Sequence, residues 1–298
     1  MSHPTVYAER RARLLAQMDK DSIALITTSP THIRNRDAEY RFRADSSFYY
    51  LTGFAEPEAL AFIQHPQLLD ADEVQYGLFC RERNREREIW DGLRAGTEGA
   101  VERFGADVAF KIEDLDELLP KLLIGKKRLY VRLGNDSDFD LKISQWLKNA
   151  VSTQRQGGTV PIEIIQLDSL LDEMRLIKDE HEINTMRSVA QISAHAHVRA
   201  MQNVKPNMME YALEAELLYE FTRNGCQTAY NSIVGGGENG CILHYVENNA
   251  PLKDGDLVLI DAGGELDHYA ADITRTFPVN GVFSPEQKAL YQLVLDAQ

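Results

Sequence analysis

Hydrophobic positions follow two patterns along the chain, and these patterns divide it into two parts. In the first part, short apolar runs typical of β-strands alternate with segments whose apolar residues recur at helical spacing. The predicted strands are Ser22–Thr28, Phe48–Phe54, Ala59–Gln64, Tyr76–Cys80, Leu129–Leu133 and Ile162–Leu167. The predicted helices are Tyr7–Met18, Asp114–Leu123 and Phe139–Ala150. This alternation indicates an α/β domain, which we place at residues 1–173.

The second part, residues 174–298, opens with a long helical pattern that begins near Asp172–Lys178. Asn207, followed three residues later by Glu210, predicts a capping box at the start of a second helix over Met208–Thr222. Runs of β-type residues come after these helices. Two helices ahead of strands predict the first half of an α+β domain.

Composition and charge narrow the classes of partner. The 298 residues carry a formal net charge of −14, which disfavours nucleic acids and anionic membranes as partners. No apolar run approaches the roughly 20 residues needed to span a bilayer. The charged start of the chain lacks the apolar core of a secretory signal. The three cysteines form no C-x-x-C pair, so we expect reduced thiols in a cytoplasmic protein.

The candidate chemistry lies in a predicted hairpin near the end of the chain. An apolar run, Leu257–Ile260, stops at Asp261, and a second β-type run begins at Asp272 after a turn-rich patch. A turn centred between Leu266 and Asp267 would set the two aspartates opposite each other. Opposed residues share a face of the ribbon, with Cβ atoms roughly 4.5–5.5 Å apart.

Two carboxylates at that distance repel each other, so one must take a proton or a cation must lie between them. Divalent cations held by oxygen ligands are the usual solution, and two-metal sites place the ions roughly 3.5–4 Å apart. Aspartates that flank a turn are also often solvated or cap the turn. Asp261 directly follows four apolar residues, which predicts a buried strand end where an unpaired carboxylate is costly. This context favours the metal hypothesis.

The residues GDLVLIDAGGELDHYAADITRTFPVNG, with ILHY upstream at Ile242–Tyr245, resemble the aminopeptidase P branch of the pita-bread metallopeptidases. The resemblance implies that Asp261 and Asp272 are ligands of a dinuclear centre, usually manganese, and that His244 is a substrate-side histidine. It further implies an α/β N-terminal creatinase-like domain followed by an α+β pita-bread domain. The family's remaining ligands, a histidine and two glutamates, come later in its sequences. Because this sequence stops at Gln298, we expect a truncated chain with an incomplete pita-bread domain.

The resemblance implies an Xaa-Pro aminopeptidase, which removes the N-terminal residue from peptides with proline in second position. Two divalent ions, Mn²⁺ by the resemblance, would activate a shared water. His244 would donate a hydrogen bond to the substrate carbonyl or the developing oxyanion, and Tyr230 would line the same pocket. Taken alone, a histidine at the end of a short apolar strand, as predicted for His244, is more often a structural residue, and Tyr230 is equally well interpreted as a core tyrosine. Since two carboxylates cannot complete the coordination of two metals, we expect the 298-residue chain to be inactive or nearly so.

Related activities remain as alternatives. The large first domain disfavours methionine aminopeptidase, and the aspartate pair disfavours creatinase, which does not use it. Prolidase shares both features and differs mainly in cleaving only dipeptides, so it is the close alternative. A non-catalytic peptide-binding module of the same fold is the alternative from another class.

Two charged stretches, Arg34–Arg43 and Arg81–Glu88, interrupt the first domain. Each is either a solvated surface or part of a subunit interface. The resemblance implies association through this domain, as a homodimer or homotetramer. Trp90, directly after the second stretch, is a candidate interface anchor. The sequence assigns no catalytic role to Asp37 or Trp90.

Two further motifs carry no predicted chemistry. His195 and His197 form an H-x-H pattern within a helical segment. Residues two apart on a helix point to different faces, so we interpret both as ordinary surface or packing residues. The glycine-rich Val234–Gly237 lacks the spacing of a phosphate-binding loop and predicts a turn or a close backbone approach.

Overall fold

A computed structural model describes residues 4–69, 72–152 and 159–298 of the chain. The chain forms two compact units, Met1–Ile177 and Lys178–Gln298. None of the described helices is both long enough and apolar enough to cross a membrane.

The first unit is an α/β domain, as the alternating pattern predicts. Its helices are α1 (Pro4–Leu15), α2 (Ser46–Thr52), α3 (Arg85–Asp91), α4 (Gly96–Phe104), α5 (Leu115–Leu122), α6 (Ser137–Ser152) and α7 (Asp168–Leu176). Its strands are β1 (Ser22–Thr27), β2 (Ile33–Asn35), β3 (Ala38–Glu39), β4 (Leu60–Leu69), β5 (Asp72–Cys80), β6 (Val108–Lys111), β7 (Arg128–Val131) and β8 (Glu163–Gln166). Strands β2 and β3 form a small exposed hairpin of their own.

Six strands form one sheet in the order β6-β5-β4-β1-β7-β8. Strands β1, β7 and β8 are parallel, and β4 pairs with β1 in the antiparallel direction. Each face of the sheet is covered by its own hydrophobic core. One core contains buried residues of α1, α2 and α7, and the other contains buried residues of α5 and α6. Burial on both faces explains why the central strands read as continuous apolar runs.

The predicted strand Phe48–Phe54 is wrong, because these residues form helix α2 and its end. The Asp45 carboxylate accepts hydrogen bonds from two amides of the first turn, at 2.8 and 2.9 Å, and so caps the helix. Gly53 ends the helix in the left-handed region, with φ of 64°. The helix buries five of its seven residues. Capping and burial therefore override the strand preference of its aromatic residues.

The second unit has the predicted α+β character. Its helices are α8 (Glu180–Asn203), α9 (Glu210–Arg223) and α10 (Pro285–Ala297). Its strands are β9 (Gln227–Thr228), β10 (Ile233–Gly236), β11 (Leu257–Ala262), β12 (Gly264–Leu266), β13 (Tyr269–Ala270) and β14 (Ile273–Pro278). One sheet has the order β10-β11-β14 and the other has the order β13-β12-β9. Helices α8 and α9 share a hydrophobic core with these strands.

The helix boundaries differ from the prediction in two places. The helical pattern that begins near Asp172–Lys178 belongs to two helices, α7 and α8. A capping box formed by Asp179 and Glu182 starts α8 as a separate helix. The capping box predicted at Asn207 is wrong. Helix α9 begins at Glu210 without a side-chain cap, and the Glu210 carboxylate binds groups from later in the chain instead.

The hairpin register also differs from the prediction. The turn is Asp267-His268, and both residues have positive φ, 48° and 68°, as a two-residue hairpin turn with matching twist requires. Asp261 consequently pairs with Thr274 and not with Asp272. The shift is two residues. Because side chains alternate with a period of two, such a shift leaves both aspartates on the same face of the ribbon.

Candidate functional site

The carboxylates of Asp261 and Asp272 converge on a single atom, the hydroxyl oxygen of Tyr230. This oxygen lies 2.5 Å from Oδ1 of Asp261 and 3.2 Å from Oδ1 of Asp272. The two Oδ1 atoms are therefore no farther apart than the sum of these distances. Asp261 is half-buried, whereas Asp272 is exposed. The three side chains form an acidic cluster at the end of the central strand of a sheet, and we call it the Asp-Tyr cluster.

Local backbone contacts bring Tyr230 to the aspartates. Asp261 pairs with Ile233 at the start of β10, and Tyr230 lies three residues before Ile233. The Ala229 amide donates a hydrogen bond of 2.9 Å to the Gly263 carbonyl, which fixes the segment ahead of β10 beside the end of β11. A Cβ atom at Gly263 would lie 1.7 Å from the Ala271 carbonyl oxygen, so glycine is required at this crossing.

Electrostatics keep Tyr230 protonated. Burial raises the pKa of the Tyr230 hydroxyl, and its hydrogen bond to Asp261 and the charges of both aspartates raise it further. The hydroxyl is consequently a donor at every physiological pH. One O–H group thus lies between two carboxylates that would otherwise repel each other.

His197 supports the end of β11 from helix α8. Its side chain is buried, and Nε2 donates a hydrogen bond of 3.0 Å to the carbonyl of Ala262, directly after Asp261. Burial is the main cause that lowers the pKa of His197, so the ring is neutral at physiological pH. His195 is exposed on the same helix. This confirms the prediction that both histidines are ordinary helix residues: His195 lies on the surface and His197 packs in the interior.

The donor atoms of the Asp-Tyr cluster fit part of a metal site. Two carboxylates and a hydroxyl offer only oxygen ligands, which divalent cations such as Mg²⁺ and Mn²⁺ prefer. Over the parts of the chain that the structure covers, no three His, Cys, Asp or Glu side chains come together as a metal site. The cluster therefore offers two carboxylates, and no third His, Cys, Asp or Glu side chain of the described residues joins them.

The sequence pattern predicted that His244 lies at the end of a strand, and this prediction is wrong. A short 3₁₀ helix, Gly237–Cys241, precedes it, and His244 is an exposed turn residue. The flanking Leu243 is 90% exposed, so this short apolar run is not part of a core. Within the described residues, no hydrogen bond joins His244 to the Asp-Tyr cluster.

Glu210 is a structural residue that sequence analysis assigned to the wrong contact. Its carboxylate is fully buried and accepts hydrogen bonds from the amides of Gly236 and Ala250, at 2.8 and 2.9 Å. It also accepts hydrogen bonds from the Tyr245 hydroxyl at 2.7 Å and the Asn239 amide at 3.1 Å. These bonds fix both ends of the loop that carries His244. No sequence signal identifies this role, because all four donors lie at least 26 residues away in the chain.

Asp37 and Trp90 lie in the first unit, on exposed elements. Asp37 is in the turn of the β2–β3 hairpin, and Trp90 on α3 is 84% exposed beside exposed Ile89 and Leu93. Of the candidate site residues, Asp261, Asp272 and Tyr230 are joined by hydrogen bonds in the described part of the chain, and His244 is not bonded to them.

Comparisons with known proteins agree with this architecture. Residues 7–130 match the family "Aminopeptidase P, N-terminal domain", and residues 184–298 match "Metallopeptidase family M24". The Xaa-Pro aminopeptidase of Escherichia coli K12 is 42% identical over 294 residues, which are 98% of this chain and 66% of that protein. The chain thus spans slightly less than two thirds of this relative.

Solved structures of aminopeptidases also match this chain. The structure of Pseudomonas aeruginosa aminopeptidase PepP superposes with a TM-score of 0.96 at 52% identity, over 99% of this chain and 66% of that one. A zinc-substituted E. coli aminopeptidase P in complex with product gives a TM-score of 0.94 at 42% identity, over 99% and 67%. The partial coverage agrees with the expected incomplete pita-bread domain. The chain therefore belongs to metallopeptidase family M24, in its aminopeptidase P branch.

Proposed function

We propose that the protein is a metal-dependent Xaa-Pro aminopeptidase, which releases the N-terminal residue of peptides with proline in second position. The observation that carries the proposal is the convergence of Asp261 and Asp272 on the Tyr230 hydroxyl. Two carboxylates this close require a neutralising partner, and a cation satisfies both more fully than one proton. The name of the E. coli relative supplies the substrate class.

Two divalent ions, which we propose to be Mn²⁺, would supply a water of lowered pKa as nucleophile and polarise the scissile carbonyl. Asp261 and Asp272 would hold them from one side. Tyr230 would keep its hydroxyl on the aspartates and orient their oxygens, as partners of ligating carboxylates commonly do. The His197 bond to Ala262 keeps the strand end in place beneath them.

His244 is our proposed hydrogen-bond donor to the substrate carbonyl and to the oxyanion that develops from it. Its exposed position on a loop anchored by Glu210 supports this role, because the ring is accessible while the loop is held at both ends. Tyr230 is the second residue that we propose to line the substrate pocket.

The test uses the full-length protein. We expect Asp261→Asn and Asp272→Asn each to abolish cleavage of an Xaa-Pro tripeptide and to reduce Mn²⁺ uptake measured by calorimetry. Asp267→Asn is the matched control, because it makes the same change in the turn of the same hairpin. Full activity in Asp261→Asn would overturn the proposal.

Two alternatives give distinct results in the same experiment. A prolidase would cleave Xaa-Pro dipeptides and leave tripeptides intact. A non-catalytic peptide-binding module would take up no stoichiometric Mn²⁺.

For residues 1–298 alone, we predict little or no cleavage, because the described residues provide two acidic ligands for two ions. Robust tripeptide cleavage by a purified 1–298 chain would contradict this.

We also propose a homo-oligomer, a dimer or tetramer, that forms through the first unit. Support comes from the adjacent exposed side chains of Ile89, Trp90 and Leu93, which form an apolar patch next to a charged stretch. Sedimentation should give a smaller species for Trp90→Ser, whereas Leu141→Ser, at another exposed apolar position, on α6, should leave the size unchanged.

A further inference from the structure

The chain passes from one sheet of the second unit to the other directly after Asp261. Strand β11 ends at Ala262 in the sheet β10-β11-β14, and β12 begins at Gly264 in the sheet β13-β12-β9. Gly263 lies between the two strands, and this crossing is buried. A strand that changes sheets leaves its hydrogen-bond ladder, so its buried backbone groups need other partners. These partners decide where the crossing lies.

Two side chains of helix α8 bind the backbone on both sides of Gly263. Nε2 of His197 donates a hydrogen bond of 3.0 Å to the Ala262 carbonyl, and Oγ of Ser193 accepts one of 3.0 Å from the Gly264 amide. The Ser193 and His197 side chains are 0% and 2% exposed. Residues four apart on a helix are neighbours on one face, so a single face of α8 makes both contacts.

The same helix also binds the returning strand of the hairpin. Glu182, in the first turn of α8, is 1% exposed, and its Oε1 accepts a hydrogen bond of 2.7 Å from the Tyr269 hydroxyl on β13. Tyr269 lies three residues before Asp272. Helix α8 therefore contacts both strands of the hairpin that carries the two aspartates.

The crossing is held from a second direction by the segment that carries Tyr230. The Ala229 amide donates a hydrogen bond of 2.9 Å to the Gly263 carbonyl, and the Tyr230 hydroxyl binds both aspartates. Asp261 is joined to the crossing by the Ala262 backbone. A displacement of the crossing therefore changes the distance between the Asp261 carboxylate and the Tyr230 hydroxyl, which is 2.5 Å in this structure.

We infer that Ser193 and His197 are positioning residues, which place Asp261 against the Tyr230 hydroxyl and so set the spacing of the acidic pair. Within residues 159–298, neither side chain forms a hydrogen bond with an aspartate, so both act through the backbone on either side of Gly263. The effect on metal binding rests on the proposed function, whereas the effect on the Asp-Tyr cluster does not.

A double-mutant cycle on the metal-free protein tests the positioning itself. Tyr230→Phe removes the hydroxyl that binds the aspartates, and His197→Met removes the donor while keeping a side chain of similar size. If His197 positions Asp261, Tyr230→Phe should shift the denaturant midpoint about half as much or less in the His197→Met background, because coupled residues are not additive. Ser193→Ala should reduce the shift in the same way.

Three further variants separate positioning from a general loss of stability. His197→Gln keeps an N–H donor and should restore most of the Tyr230→Phe shift. His195→Met and Ser188→Ala make the same changes at exposed positions of α8, and the shift should stay at its full size in both. Full shifts in the His197→Met and Ser193→Ala backgrounds would overturn the inference.

The consequence for metal binding is measured by calorimetry with Mn²⁺ on the full-length protein. His197→Met and Ser193→Ala should each raise the dissociation constant about tenfold, which is typical of losing a group that orients a metal ligand. His197→Gln should raise it less, and His195→Met and Ser188→Ala should leave it unchanged.

The two measurements distinguish this inference from the proposed function. A wild type that takes up no stoichiometric Mn²⁺ would contradict the proposed function, and the cycle on the metal-free protein would then decide the positioning role. Uptake that is lost in Asp261→Asn but unchanged in His197→Met and Ser193→Ala would leave the proposed function in place and overturn the inference.

Discussion

At the scale of single residues, Tyr230 decides how the acidic pair is held together. Its hydroxyl is the common donor to Asp261 and Asp272, and burial together with their charges keeps it protonated. The sequence placed Tyr230 near the candidate pocket but contained no sign of this shared contact. The reason is distance along the chain: Tyr230 and Asp261 are 31 residues apart.

We predict that Tyr230→Phe lowers the free energy of unfolding of the metal-free protein by about 1–3 kcal/mol, since two hydrogen bonds to carboxylates are lost. Denaturant unfolding in the presence of a chelator measures this change. Tyr211→Phe, an exposed tyrosine on α9, is the control and should have little effect. An unchanged unfolding midpoint in Tyr230→Phe would show that the shared donor contributes nothing.

Lys126 is a second residue with an unusual environment. Its side chain is fully buried, and Nζ has no hydrogen-bond partner among the described residues. Burial lowers the pKa of Lys126 from 10.5 to about 8, although the Asp21 charge acts in the opposite direction. The charged ammonium is therefore less stable in the folded chain than in the unfolded chain.

We predict that Lys126→Met raises the free energy of unfolding at pH 7 by about 1–3 kcal/mol. The unfolded chain binds the Lys126 proton more tightly, so wild type gains stability relative to the variant as pH rises from about 8 to 10.5. The difference should be constant below pH 8 and vanish above 10.5. Unfolding curves across this range measure it. Lys127→Met is the control, because Lys127 is exposed and paired with Asp21, and a gain there too would contradict the explanation.

At the scale of elements, helix α2 illustrates how a cap and an ion pair determine local structure. One Asp45 oxygen caps the helix, and the other accepts a hydrogen bond of 2.8 Å from Arg132, directly after β7. Arg132 also pairs with Asp168 at the start of α7, at 2.5 Å. The aromatic run that resembles a strand is thus helical because Asp45 caps its first turn with one carboxylate oxygen. Arg132 holds the other oxygen and so fixes the position of the cap.

We predict that Asp45→Ala lowers the free energy of unfolding by about 1–3 kcal/mol, because the cap and the bond to Arg132 are both lost. Asp45→Asn should cost less, since asparagine also caps helices and Arg132 keeps Asp168. Thermal unfolding of the two variants checks this order. Equal losses would assign the whole effect to the ion pair and none to the cap.

The hairpin that carries Asp261 and Asp272 shows which feature of an element the sequence pattern does not predict. Its two runs and its turn-rich centre were predictable, because strand residues alternate and turn residues concentrate in sequence. The register was not, because the predicted turn and the Asp267-His268 turn differ by one residue in position and by two in pairing. Alternation alone cannot separate registers that keep the same face buried.

At the scale of the whole molecule, each unit has its own core. Both hydrophobic cores of the first unit contain only residues between Leu14 and Met174, and the core of the second contains only residues between Val189 and Val279. The hydrophobic residues of each unit therefore pack within that unit.

We predict that residues 1–177 fold without the second unit, because both faces of the six-stranded sheet are covered by helices of the same unit. Circular dichroism and a cooperative thermal transition measure this. A matched fragment, 1–160, lacks α7 and β8 and should unfold at lower temperature. Absence of a cooperative transition in 1–177 would show that its cores need the rest of the chain.

The sequence by itself determined the two-domain order, most strands and helices, and the acidic pair beside an apolar run. These features depend on periodicity and on residue types that are close in the chain. Only the tertiary structure decided the hairpin register, the contact of Tyr230 with both aspartates and the buried role of Glu210. Each of these depends on which strands pair and on which face each connection crosses, and those choices are made by contacts between residues far apart in sequence.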